Sequence, residues 1–145
     1  MPEGSGFSLD PRLRADTAVL GELPLCHVGL MLDARYPWLI LVPRRADMRE
    51  ISDLDAADRA ALIEEIALCS QAVQHMFAPD KLNVGALGNI VSQLHIHIVA
   101  RSKGDAAWPG PVWGHGAPLA YGEDALEAAR TGLRAALAGH LIAAG

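Results

Sequence analysis

The segment Gln93-Leu94-His95-Ile96-His97-Ile98-Val99-Ala100-Arg101 alternates polar and apolar side chains from Gln93 through Ile98. Two is the period of a pleated strand, in which successive side chains point to opposite faces. Leu94, Ile96 and Ile98 therefore share one face, and Gln93, His95 and His97 share the other, with Val99 and Arg101 continuing that row. Like-facing residues two apart lie roughly 6 to 7 Å from one another, at a rise of about 3.3 Å per residue. A chain with this strand must bury one of its sides while lining up two imidazoles and an amide on the other.

The surrounding chain supplies partners for such a strand. Three β-like runs, Thr17 to Leu20, Cys26 to Leu32 and Trp38 to Val42, are separated by the turn-forming stretches Gly21-Glu22-Leu23-Pro24 and Asp33-Ala34-Arg35-Tyr36-Pro37. That spacing predicts an antiparallel meander. Leu39 to Val42 are continuously apolar, which places the third run at the centre of a sheet or under cover on both faces. From Asp55 to Phe77 the period changes: Leu62, Ile66, Cys69, Val73 and Met76 recur at helical steps, while Asp58, Glu65 and Gln74 fall off that stripe. Ser52 or Asp55 can cap this helix, and Pro79 forbids its continuation. Leu82 to Ala86 and Leu94 to Ala100 read as a hairpin or an adjacent pair, joined through Leu87-Gly88-Asn89. A second amphipathic helix is predicted over Asp124 to Ile142, with Leu126, Ala129, Leu133, Leu137 and Leu141 on one side.

The expected organisation is a single domain over 1–145: an N-terminal arm (1–15) with at most one short turn, a long irregular loop (102–121) rich in Trp, Pro and Gly, and a C-terminal helix (122–145). A chain of 145 residues, 51% hydrophobic and 20% charged, has room for one sizeable core and is too short for a full β/α barrel. Its net charge of −5 gives no general attraction for a phosphate backbone, so no nucleic-acid partner is expected and any nucleotide must be held by a local pocket. Cys26 and Cys69 are far apart and read as free, packed thiols. The first residues lack a basic and an apolar signal region, and no stretch approaches the roughly 20 apolar residues of a membrane span, so a cytoplasmic protein with no membrane partner is expected.

Three chemistries compete for the Gln93/His95/His97 row. It can be a solvated or hydrogen-bonded strand face. It can be a metal pair, which needs a third ligand such as His27, His115 or Asp33. It can be a nucleophilic site, because neutral imidazole is abundant at pH 7 and attacks phosphorus to form a covalent intermediate. Gly85, Gly88 and Asn89 lie just upstream and can bring backbone N–H groups close to an anion, which favours the third. Arg44, Arg45 and Arg101 at strand ends can add positive charge, and Trp108 and Trp113 can stack on a base or on a partner chain. His115 is a loop candidate, and His75 and His140 read as surface residues of the helices.

The stretch Asn83-Val84-Gly85, Gly88-Asn89 and Gln93-Leu94-His95-Ile96-His97-Ile98-Val99-Ala100-Arg101 resembles the signature of the histidine triad (HIT) superfamily, as do the preceding order of meander then helix and the Leu-Val-Pro-Arg ending at Arg44. The likeness spans about Thr17 to Arg101. It implies an α+β, HIT-like fold: a five-stranded antiparallel sheet with one long helix packed on it and a C-terminal helix. It further implies a homodimer that binds a nucleotide and cleaves at the α-phosphate without a metal or other cofactor. By the resemblance His95 is the nucleophile, and His97 contacts phosphate oxygens or the leaving group. Asn83, Gly88, Asn89 and Arg101 stand beside the phosphate site, and Asp33 corresponds to the acid that takes ribose hydroxyls. Gln93 replaces the first histidine of the triad, as in a bacterial subgroup, and Ile90 stands where many members carry Ser or Thr. Glutamine hydrogen-bonds but does not titrate.

The activity this implies is hydrolysis of a nucleoside phosphoramidate or dinucleoside polyphosphate through a nucleotidyl-histidine intermediate, with Gln93, His95 and His97 as the catalytic set. The alternatives are a nucleotide sensor without turnover and a metal-binding module using the two histidines.

Overall fold

The computed structural model describes residues 6–142. Three α-helices and five strands follow in the order α1 (Pro11–Asp16), β1 (Thr17–Glu22), β2 (Cys26–Met31), β3 (Trp38–Pro43), α2 (Ala56–Phe77), β4 (Lys81–Gly85), β5 (Ile96–Arg101) and α3 (Glu123–Leu137), with one 3-10 turn, Ile51–Asp53, before α2. The strands form one antiparallel sheet in the order β1-β2-β3-β5-β4, the five-stranded α+β arrangement that the resemblance implies, with β1 to β3 as the meander that the spacing predicts. All six residues of β3 are buried, as its unbroken apolar run requires of the central strand. β4 and β5 are adjacent rather than a tight hairpin, because the chain from Ala86 to His95 leaves the ladder to form one wall of a cavity.

Side chains of β3 and β5 alternate between two cores. Leu39, Leu41, Ile96 and Ile98 face α2 and α3, meeting Leu62, Cys69, Val73, Leu133 and Leu137. Each of these large aliphatic side chains contributes about 1.5 to 3 kcal/mol on full burial. Trp38, Ile40, Val42 and Val99 face the other way and are covered by Leu13 of α1 and by Ala107 and Val112 of the irregular 102–122 strap. This second, thinner cover carries the site.

Asp55 caps α2 by accepting from the Asp58 N–H, and Ala78 ends it in the left-handed conformation, one residue before Pro79. The stripe lies where its period puts it, with one correction. Glu65 is buried: its two carboxylate oxygens accept from the Leu25 and Cys26 backbone N–H groups at 2.8 Å each, closing the turn between β1 and β2. The C-terminal helix is also shorter than expected. It ends at Leu137, and Gly139 and His140 turn the chain back so that the Ile142 N–H donates to the Glu22 carbonyl beside β1; positions 143–145 of the expected helix lie outside the described residues. The turn expected in the N-terminal arm is α1, capped by Asp10 with Pro11 in its first turn; positions 1–5 of that arm also lie outside the described residues. Cys26 and Cys69 are free and buried. Among the described residues no helix is long and apolar enough to cross a membrane.

Candidate functional site

His95 and His97 stand side by side on the strap-covered face, ring centroids 5.0 Å apart. They are only 7% and 6% exposed, and both line one cavity of about 530 Å³. Each ring has one nitrogen assigned by the protein. His95 Nδ1 lies 2.7 Å from the Gln93 carbonyl oxygen, which can only accept, so Nδ1 carries the proton and Nε2 keeps its lone pair. The Trp38 indole N–H donates to His97 Nδ1 at 3.0 Å; an indole can only donate, so in neutral His97 the proton sits on Nε2. Burial, and secondarily the neighbouring His95, pushes the His97 imidazole down to about 4, which keeps it neutral at pH 7. The pair thus offers a ligand a lone pair from one ring and an N–H from the other.

Trp38 reaches His97 because Ile40 is paired with His97 in the β3–β5 register, making Trp38 its diagonal neighbour on the same face. Trp113, from the strap, closes the other side of His97 with ring centroids 5.3 Å apart. Gly85 is paired with His97 in the β4–β5 register, and a Cβ there would come within 3.4 Å of the Trp113 ring. A Cβ at that position would meet the indole at ordinary van der Waals distance, so Gly85 lies directly against Trp113. The opposite wall is built by Leu87 to Val91, where Gly88 takes a φ of +88° that side chains rarely adopt. Asn89 and Ile90 are exposed on this wall. Arg12, Leu13, Ala15 and Asp16 of α1 complete the enclosure together with Asp33 and Arg35.

Of the residues picked from the sequence, His95, His97, Gly88, Asn89, Asp33 and Trp113 come together around this cavity, whereas Asn83, Gln93 and Arg101, and with them Gly85, Arg44, Arg45, Trp108 and His115, do not line it. Arg101 is 2% exposed; its guanidinium makes a bidentate pair with Asp105 at 2.8 and 2.9 Å and donates to Asn83 Oδ1 at 2.8 Å. Tyr36 and Trp108 lie against the same guanidinium, 5.6 and 5.7 Å from their ring centroids. Arg101 and Asn83 therefore anchor the start of the strap instead of standing beside the cavity. The Arg101 bonds hold the Asp105 carboxyl down to about 2, so the pair is charged throughout the physiological range. The Gln93 side chain also turns away from the cavity, toward Ser8 and Asp10.

Asp33 borders the cavity, but its carboxylate is already engaged. It accepts from the Arg35 guanidinium, the Arg35 N–H and the Leu119 N–H. Burial opposes its charge, and these bonds outweigh burial to hold its carboxyl below the ordinary value. Arg35 in turn donates to the His115 carbonyl at 2.6 Å, so Asp33 and Arg35 tie down the far end of the strap. The His115 side chain is exposed and does not line the cavity. Among the described residues no group of three His, Cys, Asp or Glu side chains is placed to hold a metal ion.

Sequence reasoning missed Trp38 and Arg35. The unbroken apolar run of β3 hides which face each residue takes, and only the register with β5 puts the indole on His97. A signal for Arg35 exists in the Asp33-Ala34-Arg35 spacing, which allows a local carboxylate–guanidinium pair across a turn.

Comparison with known proteins agrees with this architecture. The HIT domain family matches residues 12–104. A histidine triad protein from Bradyrhizobium japonicum is 50% identical, covering 90% of this chain and 97% of its own, with a TM-score of 0.88. Histidine triad proteins from Sinorhizobium meliloti and Marinobacter aquaeolei VT8 are each 44% identical, with TM-scores of 0.88 and 0.90. The first pairing covers 90% of this chain and 97% of the other, and the second covers 94% and 99%. Among curated proteins none matches the chain. With the family matched over most of the chain and the same fold at half identity, the protein belongs to the HIT domain family.

Proposed function

We propose that the protein is a nucleotidyl hydrolase acting at the α-phosphate of a nucleoside phosphoramidate or dinucleoside polyphosphate. The observation that carries this is the complementary pair of tautomers at the cavity wall, a lone pair on His95 Nε2 beside an N–H on His97 Nε2. In the first step the His95 Nε2 lone pair forms a bond to the α-phosphorus. The bond from phosphorus to the leaving oxygen or nitrogen breaks, and its electron pair departs with the leaving group, a nitrogen leaving as the amine with a proton taken from solvent water. The imidazolium so formed keeps its Nδ1–H on the Gln93 carbonyl, whose dipole stabilises the new positive charge. His97 donates its Nε2–H to a phosphoryl oxygen or to the leaving atom. Water then attacks phosphorus and gives up a proton to solvent, the N–P bond breaks with its electron pair returning to His95 Nε2, and a nucleoside monophosphate leaves with the neutral imidazole restored.

The backbone around Gly88 and Asn89 can approach the phosphate oxygens, and Arg12 and Arg35, paired with Asp16 and Asp33 of the same lining, bring guanidinium donors to the cavity wall. Gln93 replaces a histidine at a position whose side chain faces away from the cavity, so its inability to titrate does not touch the His95–His97 pair.

The test is a mass-resolved assay with adenosine phosphoramidate and diadenosine polyphosphates, on wild type and His95→Ala, with intact-protein mass spectrometry for a nucleotidyl adduct. Turnover and an adduct in the wild type, both lost in His95→Ala with nucleotide binding kept, are expected. Turnover unchanged in His95→Ala overturns the proposal, and nucleotide binding with neither adduct nor product makes the protein a sensor.

A further inference from the structure

The residue that departs from the triad performs a task in this fold that an imidazole cannot. The Gln93 side-chain oxygen accepts from the Asp10 N–H at 2.8 Å, and its amide nitrogen donates to the Ser8 carbonyl at 2.8 Å. A primary amide presents one acceptor and one donor side by side and pointing nearly the same way. That matches the carbonyl of residue 8 and the N–H of residue 10, so the amide pairs with the arm as a neighbouring strand would. The two nitrogens of an imidazole diverge across the ring and cannot bond both groups together.

What the clamp holds bears directly on the cavity. Asp10 is the cap of α1, its carboxylate accepting from the Arg12 N–H at 2.8 Å, and the helix begins at Pro11. The six-residue α1 is too short to persist alone in water. It is held by Gln93, by the buried Leu13 side chain, by the Thr17 hydroxyl, which donates to the Leu13 carbonyl at 2.7 Å, and at its end by the Leu32 N–H, which donates to the Asp16 carbonyl at 2.9 Å. From this short helix come Arg12, Leu13, Ala15 and Asp16 of the cavity lining. Meanwhile the backbone carbonyl of Gln93 holds His95 in its nucleophilic tautomer. One residue therefore joins the position of His95 to the position of a helix that lines the same cavity.

We infer that Gln93 is a positioning residue: its amide clamps the Ser8–Asp10 segment and thereby holds α1 as a wall of the cavity, setting how tightly the cavity takes its ligand. The effect on ligand rests on the function proposed above, whereas the clamp itself does not.

Hydrogen exchange on the full chain separates the two. In Gln93→Met, of similar shape but without the amide, exchange at the Asp10 N–H and through α1 is expected to speed at least tenfold while β3 and α2 exchange as in the wild type. Gln93→Glu should show the same loosening at pH 7, where a carboxylate faces the Ser8 carbonyl. It should return toward wild-type protection at pH 4.5, because a protonated carboxyl again offers one donor and one acceptor; wild type at each pH is the reference. Calorimetry with adenosine monophosphate should show affinity three- to tenfold lower in Gln93→Met, and kinetics a larger change in KM than in kcat. Arm exchange unchanged in Gln93→Met, or no recovery of Gln93→Glu in acid, overturns the clamp. A fall in kcat alone, with the arm still protected, overturns the positioning role and makes Gln93 a participant in the chemistry. Wild-type protein that neither binds nor cleaves nucleotide removes the proposed function, while arm exchange still decides the clamp.

Discussion

At the scale of single residues, the two histidines differ in what their Nδ1 atoms touch. Their common face is legible in the alternation from Gln93 to Ile98, because a pleat sorts side chains by parity alone. Their tautomers are not, since each depends on an atom that the pattern does not place: the Gln93 carbonyl for His95 and the Trp38 indole for His97. Replacing Trp38 with Phe keeps most of the ring and removes the N–H, so His97 can exchange the Nε2–H form for the Nδ1–H form. The lost bias is that of one hydrogen bond, about 1 kcal/mol, so turnover by Trp38→Phe is expected to fall roughly fivefold. Nitrogen-15 spectra of the imidazoles check the cause: a single Nε2–H form of His97 in the wild type should become a mixture in the variant. A single form in both would sever the link between the indole and the tautomer.

Among the elements, α2 shows how far periodicity carries and where it stops. Its stripe, its Asp55 cap and its end before Pro79 are all legible, because each depends on neighbours within a turn or two. Glu65 falls off that stripe and reads as solvated, yet it is the only residue of α2 that binds the backbone of Leu25 and Cys26 among the hydrogen bonds described. Leu25 lies in the turn before β2 and Cys26 opens β2 opposite Pro43, and Glu65 supplies the acceptor for both N–H groups; a buried donor without an acceptor costs about 1 to 3 kcal/mol. Glu65→Ala is therefore expected to lower stability by about 2 to 4 kcal/mol, with urea midpoints as the measure, since it strands two such donors. Glu65→Gln, which keeps the volume and one accepting oxygen, should lose less; losses equal to those of Glu65→Ala would mean that one retained acceptor contributes nothing, and no loss in Glu65→Gln would mean that the side chain acts only by filling space. The same surroundings push both cysteine thiols up by burial, Cys69 to about 12, so alkylating reagents should meet them only on unfolding.

Across the whole molecule, two sets of groups give acid unfolding two separate windows. His97 falls from the ordinary 6.5 to about 4 through burial, so between those values the unfolded chain binds a proton that the folded chain refuses. Its contribution to stability is complete above pH 6.5 and is lost as pH drops toward 4; His27, lowered by burial as well, acts in the same direction. Asp105 falls from 3.8 to about 2 through its bonds to Arg101, so its contribution is complete above 3.8 and is lost as pH drops toward 2. Thermal midpoints measured from pH 8 to pH 2 should decline in both windows. His97→Asn should flatten the upper decline and Asp105→Asn the lower, and an exchange of these assignments would contradict the placement of either group. What the chain's local order settles is period, parity and capping: the central strand, the histidine row, the long helix and the likeness to the HIT family all follow from residues close together in sequence. The site's wiring comes from segments brought together by folding, Gln93 to Asp10 across 83 positions and Trp38 to His97 across 59. Local pattern selects which face a side chain takes, whereas a hydrogen bond needs its donor and acceptor at about 2.9 Å, and between distant segments only sheet register and packing set that distance.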